Sequence, residues 1–188
     1  MMGSITRVTP LELPDIKLIE SVEHIDNRGH NIKILSQNDL KVFGINFTPV
    51  EILDIYSNKN VLRGLHYQRV YYQSRIINCT KGRLFIVAVN IDSSSAYFGK
   101  KCTYVLECKN ESVYIPVKYA LGTLALEDSE FICMCGEYPF MGEYADGISW
   151  YDSRLNIDWP INHKEIVCSD NDGKLRLFDN KKKELCIL

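Results

Sequence analysis

The sequence lacks the features that mark a membrane, secreted or nucleic-acid-binding protein. No apolar run is long enough to span a bilayer, and no leader with a charged start and an apolar core is present, so we expect a cytoplasmic protein without membrane association. The 22 basic and 24 acidic residues give a net charge of −2, without the excess of positive charge that nucleic acid requires. These absences argue against nucleic acid or a membrane as a partner.

The sequence also lacks an even, regularly spaced set of cysteines and any cluster of histidines. Its seven cysteines are odd in number and without framework spacing, which indicates reduced thiols. The Cys133-Met134-Cys135 pair has no second cysteine pair or neighbouring histidines, so zinc is not expected. The four histidines do not have the spacing of a metal site. We therefore predict neither a metal ion nor a cofactor.

Long amphipathic helices are absent as well, and short strand-like runs take their place. They are separated by polar breaks about ten residues apart, which is typical of an all-β sandwich or barrel. Such runs occupy residues 32–35, 74–79, 83–92, 103–107, 113–115, 121–126 and 130–135. Residues 36–39 are compatible with either a short helix or a loop. The length of 188 residues predicts a single domain with a core over about 20–172 and a charged peripheral tail over 174–188.

The run Asn60–Gln68 combines a cation, a glycine, a histidine and an amide. Strict alternation along a strand predicts one face with Arg63, Leu65 and Tyr67 and another with Leu62, Gly64, His66 and Gln68. The missing side chain of Gly64 would leave room for a ligand beside His66. A lone histidine is more often a core residue held by one hydrogen bond. The arginine and glutamine in the same run favour a binding or catalytic site.

This run closely resembles the signature of the dTDP-4-dehydrorhamnose 3,5-epimerase family, and the resemblance extends over roughly residues 20–172. Each further segment alone is weak evidence for the family, whereas the order and spacing of all of them together are specific to it. The segments are Asp26-x-Arg28-Gly29, Lys81-Gly82 before Val87-Ala88-Val89, Tyr97-Phe98-Gly99-Lys100, Ile115-Pro116, Gly147-Ile148-x-Trp150-x-Asp152, Ile157-Asp158-Trp159-Pro160 and Cys168-Ser169-Asp170-Asn171-Asp172. The resemblance implies a metal-free cupin-type jelly-roll β-barrel with short peripheral helices. It also implies a homodimer with strand exchange that epimerises a nucleotide-linked 4-keto sugar for surface-polysaccharide synthesis.

The resemblance assigns roles to several residues of this sequence. His66 would be the base that removes a proton next to the keto group, and Asp172 the partner that fixes its tautomer. Arg63 and Arg75 would stabilise the enolate oxygen or bind phosphate, with Arg75 at a position where the family usually has lysine. Without the family, each arginine would be read as an ordinary exposed residue and Asp172 as a loop carboxylate.

Four further residues are predicted to bind substrate. Arg28 matches a family arginine that contacts the nucleotide, often across the dimer interface. Gln68 belongs to the signature, and Tyr138 matches a second family tyrosine. Glu51 replaces a usual glutamine in the base-recognition segment, and an ionised carboxylate can only accept hydrogen bonds. This replacement predicts a nucleotide other than dTDP, unless Glu51 points away from the base.

The main departure from the family is Cys133, which occupies the position of the tyrosine general acid. A thiol can donate a proton near neutral pH, but it is shorter than tyrosine. A weakened acid favours inversion at one carbon, C3 or C5. A catalytically silent member that binds a nucleotide sugar or a partner subunit is an alternative. So is a 3,4-ketoisomerase, although its motif has a second histidine where Gln68 stands.

Overall fold

In a computed structural model, which describes residues 4–178, antiparallel strands make up most of the regular secondary structure. The strands are β1 Ile5–Pro10, β2 Lys17–Ser21, β3 Glu23–Asp26, β4 Gly29–Ile32, β5 Pro49–Ser57, β6 Leu62–Gln68, β7 Arg75–Lys81, β8 Leu84–Asn90, β9 Lys101–Leu106, β10 Glu111–Ile115, β11 Tyr119–Ala125, β12 Ser129–Gly136 and β13 Ala145–Gly147. One α-helix, α1, spans Gln37–Val42, and short 3₁₀ turns occupy Gly142–Tyr144, Ser153–Leu155, His163–Glu165 and Asp172–Lys174. The predicted all-β class with short peripheral helices is confirmed.

Two large sheets form the body of the molecule. One has six strands in the order β1-β2-β10-β7-β12-β5, and the other has five in the order β13-β6-β11-β8-β9. The non-sequential neighbours are the crossovers of a jelly roll rather than of a simple meander. A separate hairpin, β3–β4, pairs with neither large sheet. Among residues 4–178, no helix is long and apolar enough to cross a membrane.

Apolar side chains fill the space between the sheets and also cover both outer faces. The inner cluster joins residues of β7 and β12 to residues of β8 and β11, including Ile77, Phe131, Ile86 and Leu121. The outer face of the five-stranded sheet is covered by the segment 148–178. The outer face of the six-stranded sheet is covered by α1 and its neighbours. Burial on both faces explains why β8 and β11 are apolar along most of their length, with Asn90 and Thr123 as the polar exceptions.

Two local predictions need correction. The run 32–35 is not a strand, because β4 ends at Ile32 and Ser36 instead caps α1 through its side chain. The peripheral tail does not begin at Lys174. Phe178 is buried against Phe98, and its backbone N–H donates to Asp152. Burial of this aromatic ring holds the segment to the barrel; residues 179–188 of the predicted tail lie outside the described part of the chain.

The predicted alternation along β6 is also wrong, because the strand contains a bulge. His66 pairs with Leu121 of β11 and Arg63 with Thr123, so two residues of β6 oppose the single Gly122. A bulge inserts one residue and reverses the parity of everything beyond it. Arg63 and His66 therefore face the same side, the interior between the sheets, whereas Leu65 packs into the outer cluster.

The bulge also explains Gly64, which does not leave space for a ligand. Its φ is +116°, a conformation that side-chain-bearing residues rarely adopt. A Cβ built at this position would lie 2.4 Å from the carbonyl oxygen of Leu121. The space beside Gly64 is therefore filled by the backbone of β11.

Candidate active site

The signature residues line a cavity of about 1200 Å³ that opens between the two sheets. From the five-stranded sheet, β6 contributes Arg63 and His66 to one wall. From the six-stranded sheet, β5, β7 and β12 contribute Glu51, Arg75 and Cys133 to the facing wall. The loop that follows Val167 closes one side with Asp172. The fold thus brings together residues from five separate segments.

His66 and Asp172 form a short polar contact within this cavity. Nε2 of His66 lies 2.6 Å from Oδ1 of Asp172, with the histidine side chain 50% exposed and the aspartate only 8% exposed. An ionised carboxylate accepts, so the ring carries its proton on Nε2 and keeps the lone pair on Nδ1. A half-exposed imidazole held in this tautomer can take a proton from a molecule in the cavity.

The backbone around Asp172 is held at three points. Oδ2 of Asp172 accepts a hydrogen bond from the N–H of Gly64 at 3.3 Å, and the backbone N–H of Asp172 donates to Oγ of Ser169. Before it, Val167 pairs in parallel with Val61 next to β6. Burial raises the pKa of Asp172, but the hydrogen bond and charge of His66 and the N–H of Gly64 outweigh it and hold the pKa below its usual value. The carboxylate therefore stays ionised beside His66.

The two predicted arginines lie on facing walls. Arg63 reaches from β6 to β5, where Nε donates to Oγ of Ser57 at 3.0 Å and Nη2 to the carbonyl of Tyr56. Nη2 of Arg75 donates to Oε1 of Gln73 at 3.1 Å. Both guanidinium groups are thereby oriented while they still line the cavity. Two cations in a cavity suit an anionic ligand such as a diphosphate or an enolate.

Three polar side chains hold the loop 137–141 over the cavity. Gln68 is buried, and its amide donates to the carbonyls of Tyr71 and Pro139 and accepts from the N–H of Met141 at 2.5 Å. Gln73 donates to the carbonyl of Tyr138. Oε2 of Glu51 accepts from the N–H of Phe140 at 2.9 Å. The amide of Gln68 is engaged by the protein itself, so its contribution is to position the loop.

The loop presents Phe140, rather than Tyr138, to the cavity. Phe140 lines the cavity with its side chain 63% exposed. Tyr138 is turned to Tyr71, with ring centroids 5.1 Å apart in an edge-to-face contact. Phe140 was not predicted from the sequence, because an apolar residue directly after Pro139 carries no signal that distinguishes it from any other loop aromatic.

Arg28 is not brought to this cavity within one chain. It lies at the turn of the β3–β4 hairpin, where Nη2 is 2.6 Å from Oδ2 of Asp26. Its side chain is 85% exposed. The hydrogen bond from Arg28 lowers the pKa of Asp26, which strengthens the assignment of this pair as charged.

Cys133 lines the cavity together with a second thiol that the sequence analysis considered only as a metal ligand. Cys133 and Cys135 are two residues apart on β12 and therefore face the same side. The interaction with the Cys135 thiol, together with burial, raises the pKa of Cys133 well above its usual value. The same interaction and the nearby Arg75 guanidinium lower the pKa of Cys135 to about 7, against the opposing effect of burial. Period-two alternation from Cys133 is the signal that identifies Cys135.

Among residues 4–178, no group of three or more histidine, cysteine, aspartate or glutamate side chains is arranged to hold a metal ion.

Comparison with known proteins identifies close relatives of this chain. The family model described as dTDP-4-dehydrorhamnose 3,5-epimerase matches residues 10–180. A dTDP-4-dehydrorhamnose 3,5-epimerase of Escherichia coli (strain K12) is 35% identical over 172 residues, covering 89% of this chain and 92% of its own. A crystal structure from Legionella pneumophila Philadelphia 1, of a dTDP-6-deoxy-D-glucose-3,5-epimerase in complex with dTDP-4-keto-L-rhamnose, superposes with a TM-score of 0.89 at 28% identity, over 96% of both chains. A crystal structure of a dTDP-4-dehydrorhamnose 3,5-epimerase from Sulfolobus tokodaii superposes with a TM-score of 0.83 at 33% identity, over 93% of this chain and 96% of its own.

Proposed function

Because this chain belongs to the dTDP-4-dehydrorhamnose 3,5-epimerase family, we propose that it epimerises a nucleotide-linked 4-keto-6-deoxy sugar with His66 as the base. Epimerisation of nucleotide-linked keto-deoxysugars in sugar biosynthesis is the activity that the relatives share. The finer assignment to individual residues depends above all on one observation, the 2.6 Å contact between His66 and Asp172 inside the cavity.

The chemistry begins with the acidity that a 4-keto group confers on the hydrogens at C3 and C5. Nδ1 of His66 takes one of these protons, and Asp172 stabilises the imidazolium that results. The electron pair moves onto the keto oxygen as an enolate. Arg63 supplies positive charge on the same wall as His66 and stabilises that oxygen. Inversion follows when a proton returns to the same carbon from the opposite side.

The opposite wall carries Cys133, and we assign the returning proton to its thiol. A buried thiol with a raised pKa remains protonated at neutral pH, as a proton donor must. It is a weaker acid than an enzyme needs for two successive inversions. This favours an enzyme that inverts one carbon only. The product then serves the synthesis of a deoxysugar for a surface polysaccharide.

The nucleotide of this proposal is dTDP, which revises the expectation drawn from Glu51. That expectation required the carboxylate to face the base. Instead, Oε2 of Glu51 accepts from the backbone of Phe140, so one of its oxygens serves the loop. The E. coli, Legionella and Sulfolobus relatives are all named for dTDP sugars, which supports the same base here. Calorimetric titration with dTDP, CDP, GDP and UDP would show the preference; tighter binding of another nucleotide would restore the original expectation.

A homodimer with strand exchange completes the proposed site. The β3–β4 hairpin stands apart from both large sheets, with Ile25 75% exposed and Arg28 at its turn. The edge strand β5 also exposes apolar side chains, at Val50, Ile52, Leu53 and Tyr56. Exposed apolar surface on an edge strand is typical of a protein interface. In the dimer, the hairpin of one subunit would carry Arg28 to the nucleotide in the cavity of the other.

One observation favours a second candidate, a silent member that binds the nucleotide sugar without converting it. Cys133 stands where the resemblance places a tyrosine acid, and loss of a general acid typically costs a factor of about 10²–10⁴. The 3,4-ketoisomerase alternative is weakened by Gln68, whose amide is engaged by the loop 137–141.

Solvent exchange followed by NMR tests the function directly. The protein is incubated with a dTDP-4-keto-6-deoxyhexose in deuterated water, and the carbon that acquires deuterium is identified. We expect exchange and inversion at one carbon, and loss of both in His66→Ala with binding retained. Undiminished exchange in that variant would refute the assignment of the base. Binding without exchange by the unmodified protein would favour the silent member.

A further inference from the structure

The wall that faces His66 carries a row of charged and thiol side chains across three neighbouring strands. Cys135 of β12 pairs directly with Arg75 of β7 on one side and with Glu51 of β5 on the other. Residues directly opposite each other in adjacent strands have Cβ atoms about 4.5–5.5 Å apart. All three side chains line the cavity. Cys135 is therefore a thiol held between a cation and an anion at the cavity surface.

Cys133 stands next to this row on the same strand, and its ladder partners are Ile77 and Leu53. It has no charged neighbour of its own in the ladder, and both thiols are at least nine-tenths buried. Cys133 is connected to the charged row through Cys135, which lies two residues further along the same face of β12 and also lines the cavity. Across the cavity, the charged and titratable groups are His66, Asp172, Arg63, Tyr67, Asp146 and Cys168.

We propose that Cys133 and Cys135 act together as the proton donor, with Cys135 as a relay that acts through Cys133. This deepens the proposed function and rests on it. In the step, the S–H bond of Cys133 breaks and a C–H bond forms at the enolate carbon. The proton of Cys135 then moves to Cys133, and the negative charge remains on the sulfur of Cys135. Solvent restores the proton of Cys135, and the imidazolium of His66 returns its proton to solvent.

The location of the final charge gives this arrangement its advantage. A thiolate left on Cys133 would be buried in the inner cluster with Ile77 and Leu121, where a charge is strongly disfavoured. A thiolate left on Cys135 lies beside the Arg75 guanidinium, whose attraction outweighs the repulsion from Glu51 on the other side. Two coupled thiols lose protons in steps that belong to the pair rather than to either residue. The pair therefore loses its first proton at a lower pH than Cys133 would if it were buried without Cys135.

The relay makes two predictions that a merely structural thiol would not. Proton return by the unmodified protein should fall as the pH rises through about 7, because the pair then lacks its first proton. In Cys135→Ser the hydroxyl keeps the size and a hydrogen bond but cannot hold the charge. We expect the exchange rate of this variant to fall about tenfold or more. We also expect the alkaline limb of its rate profile, where exchange declines with rising pH, to move up by at least one pH unit.

The test compares pH profiles of deuterium exchange for the unmodified protein, Cys135→Ser and the control Cys79→Ser, a buried thiol outside the cavity. Ultraviolet thiolate absorbance is titrated in parallel and needs no activity. A thiolate that appears near pH 7 in the unmodified protein and in Cys79→Ser, but not in Cys135→Ser, supports the pair. An unmoved alkaline limb, or no such thiolate, overturns the relay. Absence of exchange in the unmodified protein refutes the proposed function and the catalytic role of the pair, even if the thiolate appears.

Discussion

His66 and Asp172 are 106 residues apart in the chain, yet Nε2 of one lies 2.6 Å from Oδ1 of the other. The same carboxylate uses its second oxygen to bind the N–H of Gly64. One side chain thus holds both the imidazole and the bulge that turns it into the cavity. The geometry of the proposed base depends on this carboxylate and on the shape of β6 together.

Asp172→Asn should abolish most of the activity while leaving substrate binding intact. The amide can donate to Nε2, which would place the ring proton on Nδ1, the nitrogen that must accept. We expect deuterium exchange to slow by about 10²–10⁴-fold, the contribution typical of general acid–base catalysis. The matched control is Asp170→Asn, two residues earlier and exposed. Equal exchange rates in the two variants would contradict the assigned role.

Gly64→Ala should destabilise the whole barrel. The added methyl group would meet the carbonyl oxygen of Leu121, at a φ that alanine rarely adopts. We expect a loss of about 2–4 kcal/mol in the free energy of unfolding, measured by chemical denaturation. Gly142→Ala is the control, because its Cβ would meet only Phe140, at 3.8 Å. Similar stability of the two variants would contradict this, because it would show that the backbone of β11 moves to accommodate the added methyl group.

Gln68→Leu should loosen the loop that carries Phe140. The substitution removes hydrogen bonds to Tyr71, Pro139 and Met141, at a net cost of about 2–3 kcal/mol. We expect lower thermal stability, faster proteolysis within 137–141 and weaker binding of the nucleotide sugar. The control Gln37→Ala removes one exposed hydrogen bond to Thr48 and should change none of these. Unaltered proteolysis of Gln68→Leu would mean that the loop is held by other contacts.

Cys133→Tyr should strengthen the proton donor. A phenol at this position reaches further into the cavity and restores the acid that the family resemblance places there. We expect faster proton return and inversion at a second carbon, both visible as additional deuterium in the NMR spectrum. Cys133→Phe supplies the ring without the hydroxyl and should do neither. If the tyrosine variant matches the unmodified protein in rate and in the number of carbons inverted, the side chain at 133 does not return the proton.

Arg28→Ala should weaken substrate binding through the partner subunit. We expect a dimer by size-exclusion chromatography, and reduced exchange by this variant at limiting substrate. Mixing it with His66→Ala should recover activity, because a mixed dimer has one cavity with His66 intact and Arg28 supplied by the other chain. Mixing it with the double variant Arg28→Ala/His66→Ala serves as the control and should recover nothing. Equal results from the two mixtures would refute exchange of the hairpin.

The residue pattern alone predicts the fold class and the family. Short apolar runs with polar breaks about ten residues apart, in a chain without long amphipathic helices, favour strands over helices and so predict the all-β architecture. His66 and Asp172 were identified as a pair because their separate motifs match the family in order and spacing. Cys133 was identified as a departure for the same reason. These inferences depend on which residues occur and in what order, and the sequence contains both.

Which side chains face the cavity depends instead on how the strands assemble into sheets. Alternation placed Arg63 and His66 on opposite faces, whereas a bulge against Gly122 puts them together, and a single extra residue in a strand has no clear sequence signal. Gln68 and Glu51 were predicted to meet the substrate, but the loop 137–141 folds back to engage them. Cys135 gained its charged neighbours because β5, β12 and β7 lie side by side, although they are far apart in the chain. Such contacts join distant segments, so they arise only when the sheets assemble.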